Sequence, residues 1–148
     1  MIWLLRHGDA QDGSPDAERP LTDKGRTQSR AAGAALRTIG VELDACLTSP
    51  KLRAADTARL ACAELGDVEP QLEPKLAGGP FDAEALAAGL GDAVLLVGHD
   101  PDFSSAVHAL TGAQVRLKKG GLAGVDSGEL VVLLRPKELM ALAERPQG

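Results

Sequence analysis

The chain has 148 residues, 44% of them apolar and 2% aromatic, and its net charge is −5. This length is sufficient for one domain with a substantial hydrophobic core, and we expect residues 1–148 to form a single domain. An acidic chain with so few aromatic rings lacks the basic and stacking side chains of a nucleic-acid-binding surface.

The sequence also lacks the features of a membrane or secreted protein. No apolar run is long enough to cross a bilayer, and no signal peptide precedes the first predicted strand. Only two cysteines are present, Cys46 and Cys62, and we expect both to be reduced core residues. The expected compartment is therefore the cytoplasm, and no membrane partner is expected.

Apolar runs and helical periodicities alternate through most of the chain. Strands are predicted where apolar runs stand between polar loops, over residues 2–6, 43–48, 68–72 and 93–97. Helices are predicted where apolar residues recur at helical spacing, over residues 23–39, 50–65, 83–90 and 101–111. A long polar loop, residues 9–21, joins the first strand to the first helix, and loops of this length are often functional.

Short polar residues and glycines mark the expected helix ends. N-cap residues are predicted at Thr22, Ser49, Asp82 and Asp100, and Pro50 and Pro101 would stand at first helical positions. Each helix is followed by a glycine that can end it, at Gly40, Gly66, Gly91 and Gly112.

The pattern changes after Gly112. Short strands are predicted over residues 113–117, 121–125 and 129–134, and a last helix over residues 136–144. These strands follow one another without long crossovers, so we expect an antiparallel part at this end of the sheet. The expected fold class is α/β, a three-layer sandwich with a mainly parallel mixed sheet.

Three of the predicted strands are followed at once by polar groups. These groups are Arg6-His-Gly8, Ser49-Pro-Lys-Leu-Arg53 and Gly98-His-Asp-Pro101. Because the carboxyl ends of parallel strands share one edge of a sheet, we expect the three groups to converge there. Two of them also open helices, whose N-termini supply backbone N–H donors for an anion.

Two guanidinium groups and two imidazoles in one small volume suit a tetrahedral phosphoryl dianion. Arginine binds phosphoryl oxygens in a bidentate way and keeps its charge at any working pH. An imidazole can attack phosphorus and form a phosphorylated enzyme that water then hydrolyses. The sequence therefore predicts His7 as nucleophile and Arg6, Arg53 and His99 as phosphate ligands, with no metal and no cofactor.

Four motifs, in this order, resemble those of the histidine phosphatase superfamily. They are Leu5-Arg-His-Gly8, Arg19-Pro-Leu-Thr22 with Gly25, Ser49-Pro-x-x-Arg53 with Thr57-Ala58, and Val97-Gly-His99. The small size, Asp9-Ala10 after the glycine and the lack of a large inserted cap domain are most similar to the SixA-type phosphohistidine phosphatases. The resemblance implies a phosphoglycerate-mutase-like fold and the same roles for His7, Arg6, Arg53 and His99.

The general acid is the open assignment. In another branch of this superfamily an acidic residue directly after the second histidine donates the proton, and Asp100 matches that place. Pro101 departs from the pattern of that branch, and capping of the following helix is the alternative role for Asp100. Glu69 and Glu73 lie where a third branch carries its acid, but the surrounding motif is absent and neither is assigned.

Each candidate also has a structural interpretation. His7 and His99 could be structural histidines at a strand end or beside a helix. Arg53 could pair with Asp56 or with a carboxylate of another element, as a surface ion pair of small consequence. His108 lies within a predicted helix, and we expect it to be structural or exposed.

We therefore expect a phosphohydrolase that acts through a phospho-His7 intermediate. An alkoxide needs a positioned acid to leave, whereas the imidazole of phosphohistidine leaves readily, so we expect a phosphorylated protein as substrate. Lys118 and Lys119 could steer such an acidic partner, or they could belong to a solvated turn. The alternatives are a phosphatase of small metabolites or nucleotides on the same fold and a non-catalytic phosphate-binding regulatory module.

Overall fold

A computed structural model describes residues 1–66 and 68–145 of the chain. Within these residues one sheet has six strands, namely β1 (Ile2–Arg6), β2 (Ala45–Thr48), β3 (Pro70–Leu72), β4 (Val94–Gly98), β5 (Leu122–Asp126) and β6 (Glu129–Leu134). Their order across the sheet is β3-β2-β4-β1-β5-β6. The first four are parallel, while β5 is antiparallel to β1 and β6 is antiparallel to β5. The mixed sheet with an antiparallel end is thereby confirmed.

Helices cover both faces of this sheet, which confirms the three-layer α/β prediction. The helices are α1 (Asp23–Thr38), α2 (Leu52–Leu65), α3 (Ala83–Ala87), α4 (Asp102–Thr111) and α5 (Pro136–Ala143). One core cluster joins α1, α2 and α5 to one face of the sheet, and a second joins α3 and α4 to the other. None of these helices is long and apolar enough to cross a bilayer. Cys46 and Cys62 are both buried free thiols, as expected.

The helix α1 begins and ends where the sequence predicts. The Thr22 side chain accepts the Gly25 N–H at 3.0 Å, so its N-cap role is confirmed. Glycine also ends two other helices as expected, because Gly66 and Gly112 have positive φ values of 75° and 78° that other residues rarely adopt.

The starts of α2 and α4 differ from the sequence prediction. Ser49 is not the N-cap of α2, because Lys51 holds that position and the Ser49 hydroxyl lies against His99 instead. In α4 the N-cap position falls on Pro101, one residue after the predicted Asp100. Both helices therefore begin later than predicted, and the segments that join β2 to α2 and β4 to α4 lie at the edge of the sheet.

Two other elements are shorter than predicted or absent. The helix α3 ends at Ala87 rather than residue 90, because Ala88 leaves the helical conformation with a ψ of 129° and Gly89 follows with a positive φ of 77°. Residues 113–117 form no strand. The backbone of Leu117 there is bound by side chains, its N–H by Ser104 Oγ at 2.9 Å and its carbonyl by Arg6 Nη1 at 2.9 Å.

Candidate active site

The strand order brings the three polar groups to one edge of the sheet. The strand β4 lies between β1 and β2, with Arg6 opposite Gly98 and Val97 opposite Thr48. The pairing continues one step past the strands, since His7 N–H donates to the Gly98 carbonyl and Ser49 N–H to the Val97 carbonyl, each at 2.9 Å. The residues that follow each strand therefore leave the sheet side by side.

The two histidines face each other within this site. The ring centroids of His7 and His99 are 5.2 Å apart, and each residue is only 7% exposed. Arg53, on the first turn of α2, is equally buried, and its charge acts on both imidazoles. The predicted convergence of His7, His99, Arg6 and Arg53 is thus present in the structure.

His7 is held as a neutral imidazole with one defined tautomer. Its Nδ1 lies 2.7 Å from the Gly8 carbonyl, which can only accept, so Nδ1 carries the proton and Nε2 keeps its lone pair. Burial is the largest cause that lowers the pKa of His7 to about 4; the cations Arg53, Arg6 and Lys119 act in the same direction, and the Gly8 hydrogen bond opposes them. At neutral pH the ring is therefore a base and a nucleophile.

His99 is also neutral, and one of its nitrogens has no protein partner. Burial lowers the pKa of His99 to about 3, with smaller contributions from His7, Arg53 and Lys51. Its Nε2 lies 2.7 Å from Ser49 Oγ, which also accepts the Lys51 N–H at 3.2 Å and can either donate its own proton to Nε2 or accept one from it. The other ring nitrogen, Nδ1, is buried and makes no hydrogen bond.

The guanidinium of Arg6 is hydrogen-bonded through one nitrogen and unpaired at another. Arg6 donates through Nη1 to the Leu117 carbonyl, while its Nε is buried without a partner. Among residues 1–66 and 68–145, Arg6 Nε and His99 Nδ1 are the buried side-chain nitrogens or oxygens that lack a hydrogen bond. Buried polar groups are ordinarily paired, so these two unpaired nitrogens beside His7 indicate the place of a polar ligand, and the charge of Arg6 favours an anion there.

Asp16, which sequence reasoning did not single out, contacts Arg53. It lies in a short 3-10 helix within the long loop, and its carbonyl and carboxylate accept from Arg53 Nη1 and Nη2 at 2.8 and 3.2 Å. Lys51 Nζ is 3.3 Å from the same carboxylate. Hydrogen bonds from Arg19, Arg53 and Lys51 lower the pKa of this carboxyl, so Asp16 remains an anion and orients Arg53.

The carboxylates of two acidic candidates, Asp100 and Glu73, accept hydrogen bonds from the first turns of helices. Asp100 accepts the Ser104 N–H at 2.9 Å and the Ser104 hydroxyl at 2.6 Å, a contact set that ties both carboxylate oxygens to the first turn of α4. Glu73 caps a short 3-10 helix by accepting the Lys75 N–H at 2.9 Å.

The remaining charged candidates lie at the rim. Lys119 Nζ is 3.6 Å from Asp9 Oδ1, and both Lys118 and Lys119 are exposed. Asp56 pairs with Arg59 rather than with Arg53. His108 is exposed on α4, with Nδ1 3.2 Å from the Ala113 carbonyl, as expected for a residue outside the site.

A group of buried polar side chains behind His7 was also not predicted. Thr57 Oγ1 accepts the Gly8 N–H at 3.1 Å, and Gln28 Oε1 accepts the Asp9 N–H at 2.9 Å. Ser29 Oγ lies 3.1 Å from Thr57 Oγ1. Thr57 stands inside one of the motifs, but Gln28 and Ser29 carry no signal beyond being polar on an otherwise buried helix face.

The described residues contain no group of three or more His, Cys, Asp or Glu side chains arranged to hold a metal ion. Arginine, histidine and backbone N–H groups are the kinds of side chain and main-chain donor that bind phosphate, and the site contains them.

The buried neutral histidines predict acid sensitivity. Their pKa values in the folded protein, about 4 and about 3, lie below the value of 6.5 expected in the unfolded chain. The unfolded state then binds more protons below pH 6.5, so stability falls as the pH is lowered. Between pH 7 and pH 5 we expect a loss on the order of 3 kcal/mol in the free energy of unfolding, measured by urea denaturation.

A double variant, His7→Gln with His99→Gln, is the control for this pH effect. It removes both titrating groups, so its stability should change much less over the same range. An equal pH dependence in the double variant would assign the effect to other groups.

Comparison with known proteins agrees with this geometry. The sequence profile of the histidine phosphatase superfamily (branch 1) matches residues 2–83. An uncharacterized protein of Picosynechococcus sp. is 37% identical over 94% of this chain and 98% of its own length. The phosphohistidine phosphatase SixA of Escherichia coli is 40% identical over 67 residues, which are 45% of this chain and 39% of that protein.

The fold is also shared with a solved structure. The protein histidine phosphatase SixA complexed with tungstate aligns with a TM-score of 0.79 and 25% identity, over 93% of this chain and 98% of that one. The profile match covers the first two strand-end groups. From these matches and the convergent site, the chain belongs to the histidine phosphatase superfamily.

Proposed function

We propose that this protein is a metal-independent phosphohydrolase that forms a phospho-His7 intermediate and acts on phosphohistidine in a protein. The observation that carries the proposal is the pair of buried unpaired nitrogens, Arg6 Nε and His99 Nδ1, beside an imidazole whose Nε2 has a free lone pair. In the proposed complex Ser49 donates to His99 Nε2, so that Nδ1 carries the proton, and the phosphoryl oxygens accept from both nitrogens while phosphorus faces the nucleophile.

The reaction follows from the protonation states of the two rings. The Nε2 lone pair of His7 attacks phosphorus, the bond from phosphorus to the substrate nitrogen breaks, and the leaving imidazole takes a proton from water. A second water then attacks the phosphorus of phospho-His7 and loses a proton to the hydroxide that the first water left, which releases inorganic phosphate and restores the neutral ring. Arg6, Arg53 and His99 stabilise the charge of the phosphoryl oxygens in both steps.

The hydrogen bonds of Asp100 support a substrate whose P–N bond, rather than a P–O bond, is broken. Asp100, the carboxylate that follows the second histidine, has both oxygens on Ser104 and is not free to protonate a leaving alkoxide. A phosphohistidine needs no such acid. The name of the relative SixA, a phosphohistidine phosphatase, supports the same substrate class.

We also propose a cellular compartment and a class of partner for the protein. Two buried free thiols, Cys46 and Cys62, support a reducing compartment such as the cytoplasm. The exposed Lys118 and Lys119 lie beside the site and offer charge to an acidic phosphoprotein partner.

A substrate panel tests the proposal. Purified protein is given a phosphohistidine protein, a phosphoserine peptide, a sugar phosphate and a nucleotide, each with and without EDTA, and phosphate release is measured. We expect kcat/KM for the phosphohistidine protein to exceed that for the esters by about a hundredfold, since an ester lacks its positioned acid. EDTA should change neither value.

Asp100→Asn serves as the matched variant, because an asparagine oxygen can still accept the Ser104 N–H. Hydrolysis of phosphohistidine should be nearly unchanged in this variant. Rapid hydrolysis of a sugar phosphate or nucleotide, lost in Asp100→Asn, would instead assign the protein to the small-molecule phosphatases. Phosphate binding without turnover of any substrate would identify a regulatory module.

A further inference from the structure

The carbonyl that sets the tautomer of His7 belongs to the peptide unit between Gly8 and Asp9. The N–H of that same unit donates to Gln28 Oε1 at 2.9 Å. Because a trans peptide is planar, with its N–H and C=O directed oppositely, holding the N–H fixes the direction of the carbonyl. Gln28 thus determines whether the Gly8 oxygen faces His7 Nδ1, although Gln28 does not itself touch the imidazole.

The preceding peptide unit, between His7 and Gly8, is anchored in the same way. Its N–H donates to Thr57 Oγ1 at 3.1 Å, and the Thr57 hydroxyl donates to the Arg53 carbonyl at 2.7 Å. Ser29 Oγ adds a contact to Thr57 Oγ1 at 3.1 Å and donates to the Gly25 carbonyl at 2.7 Å. Both peptides that flank Gly8 are therefore held by side chains of α1 and α2.

The polar side chains that hold the two peptide units are as buried as those of the hydrophobic core. Gln28 is 6% exposed, and Ser29 and Thr57 are fully buried. Polar side chains are rarely placed so deeply unless their hydrogen bonds are needed, because burial of an unpaired group is costly. In this protein Thr57 and Gln28 accept the N–H groups of the dipeptide Gly8-Asp9, which follows the nucleophile, and Ser29 contacts Thr57.

We propose that Gln28 and Thr57 are positioning residues that keep His7 in its reactive tautomer by fixing the two peptide units around Gly8. This inference rests on the proposed function, because it takes His7 as the nucleophile. With the Gly8 carbonyl free to turn, Nδ1 loses its acceptor and the ring proton redistributes to Nε2. A ring protonated at Nε2 has no lone pair there to attack phosphorus.

The predicted effect falls on chemistry more than on binding. The phosphate ligands Arg6, Arg53 and His99 keep their places when the Gln28 amide is removed, so KM should change little. We expect kcat and the single-turnover rate of His7 phosphorylation to fall by about tenfold to a hundredfold in Gln28→Met, which keeps the size but lacks the acceptor. Thr57→Val should have a similar effect, and Thr57→Ser should restore most of the rate.

A matched control lies at the end of α4. Thr111 makes the same two kinds of hydrogen bond as Thr57, donating to the Val107 carbonyl at 2.8 Å and accepting the Ala113 N–H at 3.1 Å. Thr111→Val therefore removes a threonine hydroxyl with the same kinds of hydrogen bond, at a half-buried position that does not contact the Gly8 peptides. Its kcat should stay near the wild-type value.

The tautomer itself is the decisive measurement. Nitrogen-15 NMR at neutral pH distinguishes a protonated Nδ1 from a protonated Nε2, and the His7 signals are assigned by their loss in His7→Gln. We expect Nδ1–H in the wild type and in Thr111→Val, and a mixture of tautomers in Gln28→Met and Thr57→Val.

The outcomes separate this inference from the proposed function. A His7 tautomer unchanged in both Gln28→Met and Thr57→Val overturns the positioning role, whatever the activity. A shifted tautomer in a protein that hydrolyses no phosphohistidine supports the positioning role and rejects the proposed substrate. If Thr57→Val does not fold, the comparison of Gln28→Met with Gln28→Glu, which keeps an acceptor, gives the same decision.

Discussion

His7→Gln is expected to abolish phosphorylation of the protein and to lower phosphohistidine hydrolysis by about four orders of magnitude or more. Glutamine is polar and of similar length, but its amide nitrogen has no lone pair available for attack. The site would keep Arg6, Arg53 and His99, so phosphate binding should survive. Rapid quench with radioactive phosphohistidine substrate, followed by denaturing electrophoresis, measures the covalent label, which should be acid-labile and stable in base.

His108→Gln is the control for this experiment, since His108 is an exposed histidine outside the site. It should leave both the label and the rate unchanged. Label that persists in His7→Gln would disprove the proposed nucleophile. Label that then disappears only in His99→Gln would exchange the roles of the two histidines, which face each other at 5.2 Å.

The fold and the centre of the site could be predicted because their signals are local. Apolar runs give the strands; Arg6 ends β1, and His7 and His99 directly follow β1 and β4, so the parallel pairing alone brings them together. The same reasoning placed Arg53 correctly, although its helix begins two residues later than predicted. These predictions needed only the rule that carboxyl ends of parallel strands share an edge.

The errors and omissions have a common physical cause. Tertiary contacts bind side chains and backbone groups for which local sequence rules predict a different role or no role. Ser49 precedes a proline and has the form of an N-cap, but its hydroxyl contacts His99. Residues 113–117 have strand-like residues, but Ser104 and Arg6 bind the backbone of Leu117. The contact of Asp16 with Arg53 depends on how a loop folds back over α2, and no local pattern encodes that.

The net negative charge of the chain gives no sign of the cationic side chains at the site. Asp16 and Asp9 lie beside Arg53, Lys51 and Lys119, so the local charges largely balance before an anion binds. A phosphoryl group must therefore compete with an aspartate carboxylate for Arg53. Its proposed advantage is that it also pairs with the buried nitrogens of Arg6 and His99, which the Asp16 carboxylate leaves without a partner.

Gly25→Ala is expected to destabilise the protein by about 3 kcal/mol or more, although alanine is ordinarily the better helix former. A Cβ at Gly25 would lie 1.9 Å from the Asp9 carbonyl oxygen and 2.9 Å from the Asp9 nitrogen, and these are backbone atoms that no rotamer change can move aside. The close approach is reciprocal, because a Cβ at Gly8 would lie 2.5 Å from the Gly25 carbonyl oxygen. The segment after His7 therefore packs on the first turn of α1 with no room for a methyl group.

Urea denaturation of Gly25→Ala measures this cost, and Thr27→Ala is the control, because Thr27 is exposed on the same turn of α1. Thr27→Ala should change the free energy of unfolding by no more than about 0.5 kcal/mol. The clash also displaces Asp9, whose N–H is held by Gln28, so any folded Gly25→Ala protein should lose phosphatase activity as well. A variant that is more stable than the wild type would show that α1 can move away from the Asp9 backbone. In that case the position of His7 would not depend on this contact.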